Sequence, residues 1–220
     1  MELVDKLSNR QYIDGEWVES SNKNTRDIIN PYNQETIFTV AEGTKEDVER
    51  AILAARRSFE DGEWSLETSE VRGKKVRAVA DKIKENREEL AKLETLDTGK
   101  TLEESYADMD DIHNVFMYFA GLADKDGGEM INSPIPNTES KIVKEPVGVV
   151  TQITPWNYPL LQASWKIAPA LATGCSLVMK PSEITPLTTI RVFELMEEVG
   201  FPKGTINLVL GAGSEVGDVM

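Results

Sequence analysis

Three short runs hold the residues best suited to chemistry. Lys180-Pro181-Ser182-Glu183 sets an ammonium and a carboxylate three positions apart. A carboxylate accepts from vicinal sugar hydroxyls and an ammonium donates to one of them, so the pair reads as a ribose clamp. The same four residues also read as a surface ion pair capping the next helix. Thr154-Pro155-Trp156-Asn157-Tyr158-Pro159 offers a neutral amide between two aromatic rings. Gly211-Ala212-Gly213-Ser214-Glu215-Val216-Gly217 spaces its glycines as GxGxxxG, not as the GxGxxG of the dinucleotide fingerprint. It reads as a glycine turn that packs beside a nucleotide, with Gly213 facing it, and leads into a helix. Beyond these runs the chain has one histidine, His113, and one cysteine, Cys175. A Ser-His-Asp triad or a multi-histidine zinc site has almost nothing to be built from.

Something must hold those runs together. Val147 to Ile153 is apolar and β-branched, the mark of a strand buried on both faces. A helix over about 160–173, a strand over 175–179, a helix over about 187–199 and a strand over 206–210 come next. Strand, helix, strand, helix, strand is a parallel α/β unit with right-handed crossovers. Ligands of such sheets bind beyond the carboxyl ends of the strands, and all three runs sit there. Upstream, Asp14-Gly15 marks a hairpin between Gln11-Tyr12-Ile13 and Trp17-Val18, and 35–40 is strand-like. Thr44 with Asp47 opens a helix whose Val48, Ala51, Ile52, Ala55 and Phe59 share a face. Helices carrying Val76 to Ile83, Glu88 to Asp97 and Leu102 to Leu122 come after it, the last closing at Gly127-Gly128. Pro134 and Pro136 then break the pattern, and Lys141 to Lys144 reads as a returning strand.

Composition narrows the function. Forty per cent of the 220 residues are hydrophobic and 28% charged, enough for a core and too apolar for whole-chain disorder. The formal charge of −14 repels phosphate backbones and anionic lipid, so neither nucleic acid nor membrane is expected as a partner. No run of roughly 18 apolar residues occurs, the start does not read as a signal peptide, and a lone cysteine fits a reducing, cytoplasmic compartment.

Taken together, Pro155 to Pro159, Trp165-Lys166, Pro169 to Gly174, Lys180 to Glu183 with Thr185 to Thr188, and Leu93 to Lys100 resemble the aldehyde dehydrogenase family. The likeness runs from the Asp14 to Trp17 hairpin to the glycine turn, and within the family it is nearest the bacterial group acting on betaine aldehyde. The resemblance implies a Rossmann-like parallel sheet with flanking helices, an incomplete NAD-binding domain. Residues 1–128 and 147–220 would form its parts, with an oligomerisation hairpin over 129–146 and a homodimer or tetramer as the assembly. It implies NAD-dependent oxidation of betaine aldehyde to the osmoprotectant glycine betaine, or of another aldehyde. A non-catalytic nucleotide-binding or interaction module is the alternative.

Residue roles come from the same resemblance. Asn157 would donate its amide to the oxyanion formed when a thiolate attacks the aldehyde, though it also reads as a helix cap. Thr154, Pro155 and Trp156 would wall the nicotinamide, Lys180 to Glu183 would hold the adenosine ribose, and Glu183 would repel a 2′-phosphate. Lys166 matches a charge-relay lysine, or is simply solvated beside a core tryptophan. Tyr158 and Trp165, seven apart, share a helix face and would cage a trimethylammonium group, or belong to the core. The carbonyls of Ile28, Ile29, Asp97 and Ile184 would ligate K+ or Na+, while Asp97 by itself reads as a helix-end residue. The family's nucleophilic cysteine and general-base glutamate match nothing before Met220. Cys175, in a buried strand, reads as inert packing, so the 220 residues are expected to be inactive alone.

Overall fold

The structure is a computed structural model that describes residues 3–125 and 127–220. Its centre is a five-stranded sheet in the order β2-β1-β9-β8-β7, built from β1 (Gln11–Ile13), β2 (Glu16–Val18), β7 (Val149–Ile153), β8 (Ser176–Lys180) and β9 (Ile206–Leu208). The last three are parallel. The Asp14-Gly15 turn takes positive φ at both residues (57° and 80°), as its dipeptide demands. The hairpin it closes also docks on the sheet, with Tyr12 opposite Leu208 in antiparallel register, so the sheet is mixed.

Alternation along β8 divides the core. Leu177 and Met179 join the large cluster under α5 (Pro159–Thr173) and α6 (Leu187–Val199), while Val178 joins a smaller one under α1 (Lys45–Asp61). Beneath α5 and α6 lie α2 (Ser69–Glu85), α3 (Arg87–Thr98) and α4 (Leu102–Leu122), whose Val76, Leu90, Phe116 and neighbours complete the large cluster. Tyr12 and Leu208 belong to that cluster too, so 3–125 and 147–220 share one core. Thr44 and Asp47 form a full capping box on α1, the pattern their spacing predicts.

Several elements differ from what the sequence predicts. The apolar pattern of Val147 to Ile153 predicts burial on both faces, but β7 is the sheet's edge strand here and leaves Thr151 and Ile153 exposed. A strand that no sequence pattern predicts, β3 (Thr25–Ile29), pairs with β4 (Thr36–Ala41) in a separate two-stranded sheet. Helix α4 ends at Leu122, where the Ala123 N–H still donates to Phe119, well before Gly127-Gly128. Gly128 instead serves the next ribbon, where a Cβ would stand 2.3 Å from the Ile142 carbonyl oxygen. That ribbon pairs β5 (Glu129–Asn132) with β6 (Glu139–Ile142), so its second strand ends at Ile142, and Pro134 and Pro136 lie in its turn. Met130, Ile131, Ile135 and Val143 are exposed along it. The short helix α7 (Gly213–Val216) comes after the glycine turn.

Candidate functional site

Parallel strands deliver their next loops to one edge, and two of those loops are tied to each other. Ile153 is opposite Lys180 in the β7–β8 register. One residue on, the Thr154 N–H donates to the Lys180 carbonyl at 3.1 Å, and the Thr185 hydroxyl donates to the Trp156 carbonyl at 3.3 Å. The aromatic-amide run and the Lys-Pro-Ser-Glu run are therefore one unit. Thr154 is buried with its hydroxyl unpartnered, whereas Pro155, Trp156, Asn157 and Tyr158 face solvent. Among the described residues the Asn157 side chain has no hydrogen-bond partner, so its amide is available to donate.

Pro181 and Ser182, between Lys180 and Glu183, are buried. The Lys180 ammonium is buried too and donates to the Pro181 carbonyl at 2.8 Å and to Glu183 Oε2 at 3.4 Å. An ammonium has three donors, so one is left over. Burial pulls the Lys180 pKa below its ordinary value, and Glu183 and Glu42 partly restore it. At Glu183 partial burial pushes upward, yet its own backbone N–H, Lys180 and the Gly213 N–H together hold the carboxyl below the usual range. An ionised, half-exposed carboxylate beside a spare ammonium donor is the donor–acceptor set that a vicinal diol needs, so these residues fit an adenosine ribose. Gly213 itself is sterically unconstrained, since a Cβ there would meet nothing.

Lys166 is half-buried on α5, and its carbonyl accepts from Gln152 Nε2 at 3.0 Å. Tyr158 and Trp165 have different surroundings. Trp165 borders a groove of about 430 Å³ with Asp111, Tyr118, Phe119 and Leu161. The Tyr158 ring instead carries the Lys100 ammonium 4.4 Å from its centroid. Ile28 is buried and Ile29 exposed, with a register shift between them that takes β3 out of regular pairing. Asp97 is buried, with Oδ2 accepting from the Leu187 N–H at 2.9 Å and Oδ1 unpartnered. Ile184 is exposed next to Thr185. Among the described residues no group of three or more His, Cys, Asp or Glu side chains could hold a metal.

Two charge groups are invisible to composition and motif. Lys100 is bonded to Asp108 at 2.5 Å and lies 3.6 Å from Glu94, both of them buried. Glu94 also accepts from the Thr188 hydroxyl at 2.7 Å. Burial pushes the Glu94 carboxyl up to about 7, against Thr188 and Lys100. The second group is Arg26 with Glu42, an ion pair that joins β3 to the end of β4. Lys100 and Glu94 lie inside the Leu93 to Lys100 motif, in which only Asp97 stands out by sequence.

The Glu94 shift has a sign that can be measured. Its folded pKa lies above the unfolded value of about 4.3, so the folded state holds an extra proton between those values. Glu94's contribution to stability is therefore full below about pH 4 and is lost as pH rises through 7. Glu94→Gln keeps an acceptor for Thr188 and cannot ionise. Thermal unfolding from pH 5.5 to 8 should show the variant losing less stability than the wild type, by on the order of 2 kcal/mol. Parallel curves would refute the assignment.

The chain is similar to known proteins. Residues 17–220 match the model of the aldehyde dehydrogenase family. The chain is 66% identical over 212 residues to betaine aldehyde dehydrogenase of Bacillus subtilis, covering 96% of this chain and 43% of that protein. It is 47% identical to peroxisomal aminoaldehyde dehydrogenase 1 of Pisum sativum, over 96% of this chain and 43% of that protein. A crystal structure of Staphylococcus aureus betaine aldehyde dehydrogenase in complex with NAD+ superposes with a TM-score of 0.99 at 91% identity, covering 100% of this chain and 44% of that one. The chain thus spans less than half the length of the relatives it matches.

Proposed function

Since the chain belongs to the aldehyde dehydrogenase family, we propose that it forms the coenzyme-binding part of an enzyme that oxidises betaine aldehyde to glycine betaine with NAD. One observation carries this reading. The Thr154 to Lys180 and Thr185 to Trp156 hydrogen bonds fasten the Lys180–Glu183 ion pair to a loop presenting a free amide. Bound NAD would supply the hydride acceptor. Lys180 and Glu183 then hold the adenosine ribose, while Thr154, Pro155 and Trp156 line the way toward the nicotinamide. Asn157 donates to the carbonyl oxygen as negative charge develops on it, and Lys166 relays charge behind it. Cys175 is buried just before β8 and is no nucleophile, so in this reading the attacking thiolate comes from outside these 220 residues.

Tyr158 and Trp165 form the substrate side, with the exposed Tyr158 ring receiving a trimethylammonium group. The backbone of Ile28, Ile29, Asp97 and Ile184 is the proposed seat of K+ or Na+, and the bulge at Ile28/Ile29 supports it by freeing a strand from regular pairing. Residues 129–146 are proposed as the arm of a homodimer or tetramer, supported by the apolar side chains exposed along it. No helix among the described residues is long and apolar enough to cross a membrane. A cytoplasmic site of action is proposed from the single unpaired cysteine.

The test is NADH formation by the whole protein with betaine aldehyde and with its neutral isostere 3,3-dimethylbutanal. Turnover with both is expected, with the cationic aldehyde preferred. Tyr158→Ala should raise KM for betaine aldehyde about two- to fivefold more than for the isostere, since a cation–π contact, weakened by the Lys100 ammonium already on the ring, is lost only for the former. No NADH from either aldehyde would sink the proposed activity. Equal losses would remove Tyr158 from cation recognition and favour a neutral aldehyde as the substrate.

A further inference from the structure

The ribose reading leaves a second ion pair beside the clamp without a role, and any role for that pair depends on the ribose being held there. Arg26, on β3, meets Glu42, just after β4, through two bonds, Nε to Oε2 at 2.5 Å and Nη2 to Oε1 at 2.7 Å. Glu42 Oε1 accepts a third hydrogen from the backbone N–H of Ala212, in the glycine turn after β9, at 3.1 Å. The pair belongs to the clamp's electrostatic neighbourhood. The guanidinium feels Glu183 as well as Glu42, and the Lys180 ammonium feels both Glu42 and Arg26. Beside the pair opens a polar cavity of about 530 Å³ lined by Lys23, Asn24, Thr25, Arg26 and Glu42.

Glu42 is also held firmly in place. The neighbouring Gly43 donates its N–H to the Leu210 carbonyl at 2.9 Å. A Cβ at Gly43 would stand 2.2 Å from that oxygen and 2.4 Å from Gln11 Oε1. The segment carrying Glu42 is thus pressed against the strand end that leads into the glycine turn, and only a glycine fits the contact.

We propose that Glu42 makes this site select a coenzyme with a free 2′-hydroxyl, because its carboxylate occupies the two donors, the Arg26 guanidinium and the Ala212 N–H, that would otherwise cradle a ribose 2′-phosphate. A guanidinium fork and a turn N–H are the donors that bind phosphate best. With the Glu42 carboxylate between them the socket is filled, and its charge adds to that of Glu183 against a second phosphate. Glu183 meets the sugar hydroxyls themselves; Glu42 decides which substituent the 2′ oxygen can carry.

The experiment is calorimetric binding of adenosine 5′-monophosphate and adenosine 2′,5′-bisphosphate to the whole protein at low salt, two probes that differ only by the 2′-phosphate. The wild type should prefer the monophosphate. Glu42→Gln should raise affinity for the bisphosphate about 10- to 100-fold while changing the monophosphate less than about threefold. Arg26→Gln should instead weaken the bisphosphate further, and the double variant should lose the gain of Glu42→Gln. An unchanged ratio in both single variants, or the full gain surviving in the double variant, overturns the assignment of Glu42. Failure of the wild type to bind the monophosphate overturns the ribose reading on which it rests, a distinguishable result.

Discussion

Asn157→Ala is expected to lower kcat by about 10²–10³ while leaving KM, coenzyme affinity and thermal stability close to those of the wild type. The amide is exposed and without a partner among the described residues, so its removal breaks no folded-state contact. Its loop is held elsewhere, by the Thr185 hydroxyl on the Trp156 carbonyl and by Pro159 at the first turn of α5. A donor used only once charge has moved onto the aldehyde oxygen contributes to the transition state and not to ground-state binding. Steady-state kinetics with a thermal melt on the whole protein decides the matter. A kcat within about threefold of wild type removes Asn157 from the oxyanion site; the helix-cap role its sequence position also allows is already excluded, since the N-cap of α5 is Tyr158 and no side chain caps it.

Lys100→Met should destabilise the protein by about 3–5 kcal/mol, the range expected when one partner of a buried ion pair is deleted. The lysine side chain is only 12% exposed and stands between Asp108, 10% exposed, and Glu94, fully buried. Methionine replaces the volume but leaves the Asp108 carboxylate uncompensated. Glu94 is already pushed toward neutrality, so Asp108 bears most of the loss. At about 2–4 °C per kcal/mol for a chain of this size, the melting temperature should fall by roughly 6–20 °C. Adding Asp108→Asn should recover part of the fall, since the stranded charge goes with it. A single variant that melts within about 2 °C of wild type excludes this account.

Local patterns make the local elements legible. Asp14-Gly15 marks its hairpin, Thr44 and Asp47 their capping box, and alternating apolar strands with helices mark the parallel unit. Lys180 and Glu183 stand out because both lie on one loop, three positions apart. Arg26 with Glu42 does not, because their meeting depends on the register of β3 against β4, and β3 has a polar, charged start that no alternation rule selects. Their bond to Ala212 joins residues 170 positions apart, a contact that exists only once Gly43 docks on Leu210. Lys100 over Tyr158 is hidden in the same way, since a lysine in a helix-end motif gives no sign of a ring 58 residues later. The edge position of β7 is obscured because a β-branched run reads alike whether or not a neighbour lies on its outer side.

With an ammonium already resting over it, the Tyr158 ring proposed for cation recognition would be a one-sided receptor. Two cations on opposite faces of one π-system repel through it, and each gains less than it would from the ring alone. A positively charged guest would approach from the other face and accept a weakened pull. In the proposed reading, the remaining selectivity for a trimethylammonium group would come from fit. In return the Lys100 contact restrains the ring before any guest arrives, so less rotational freedom would be lost on contact.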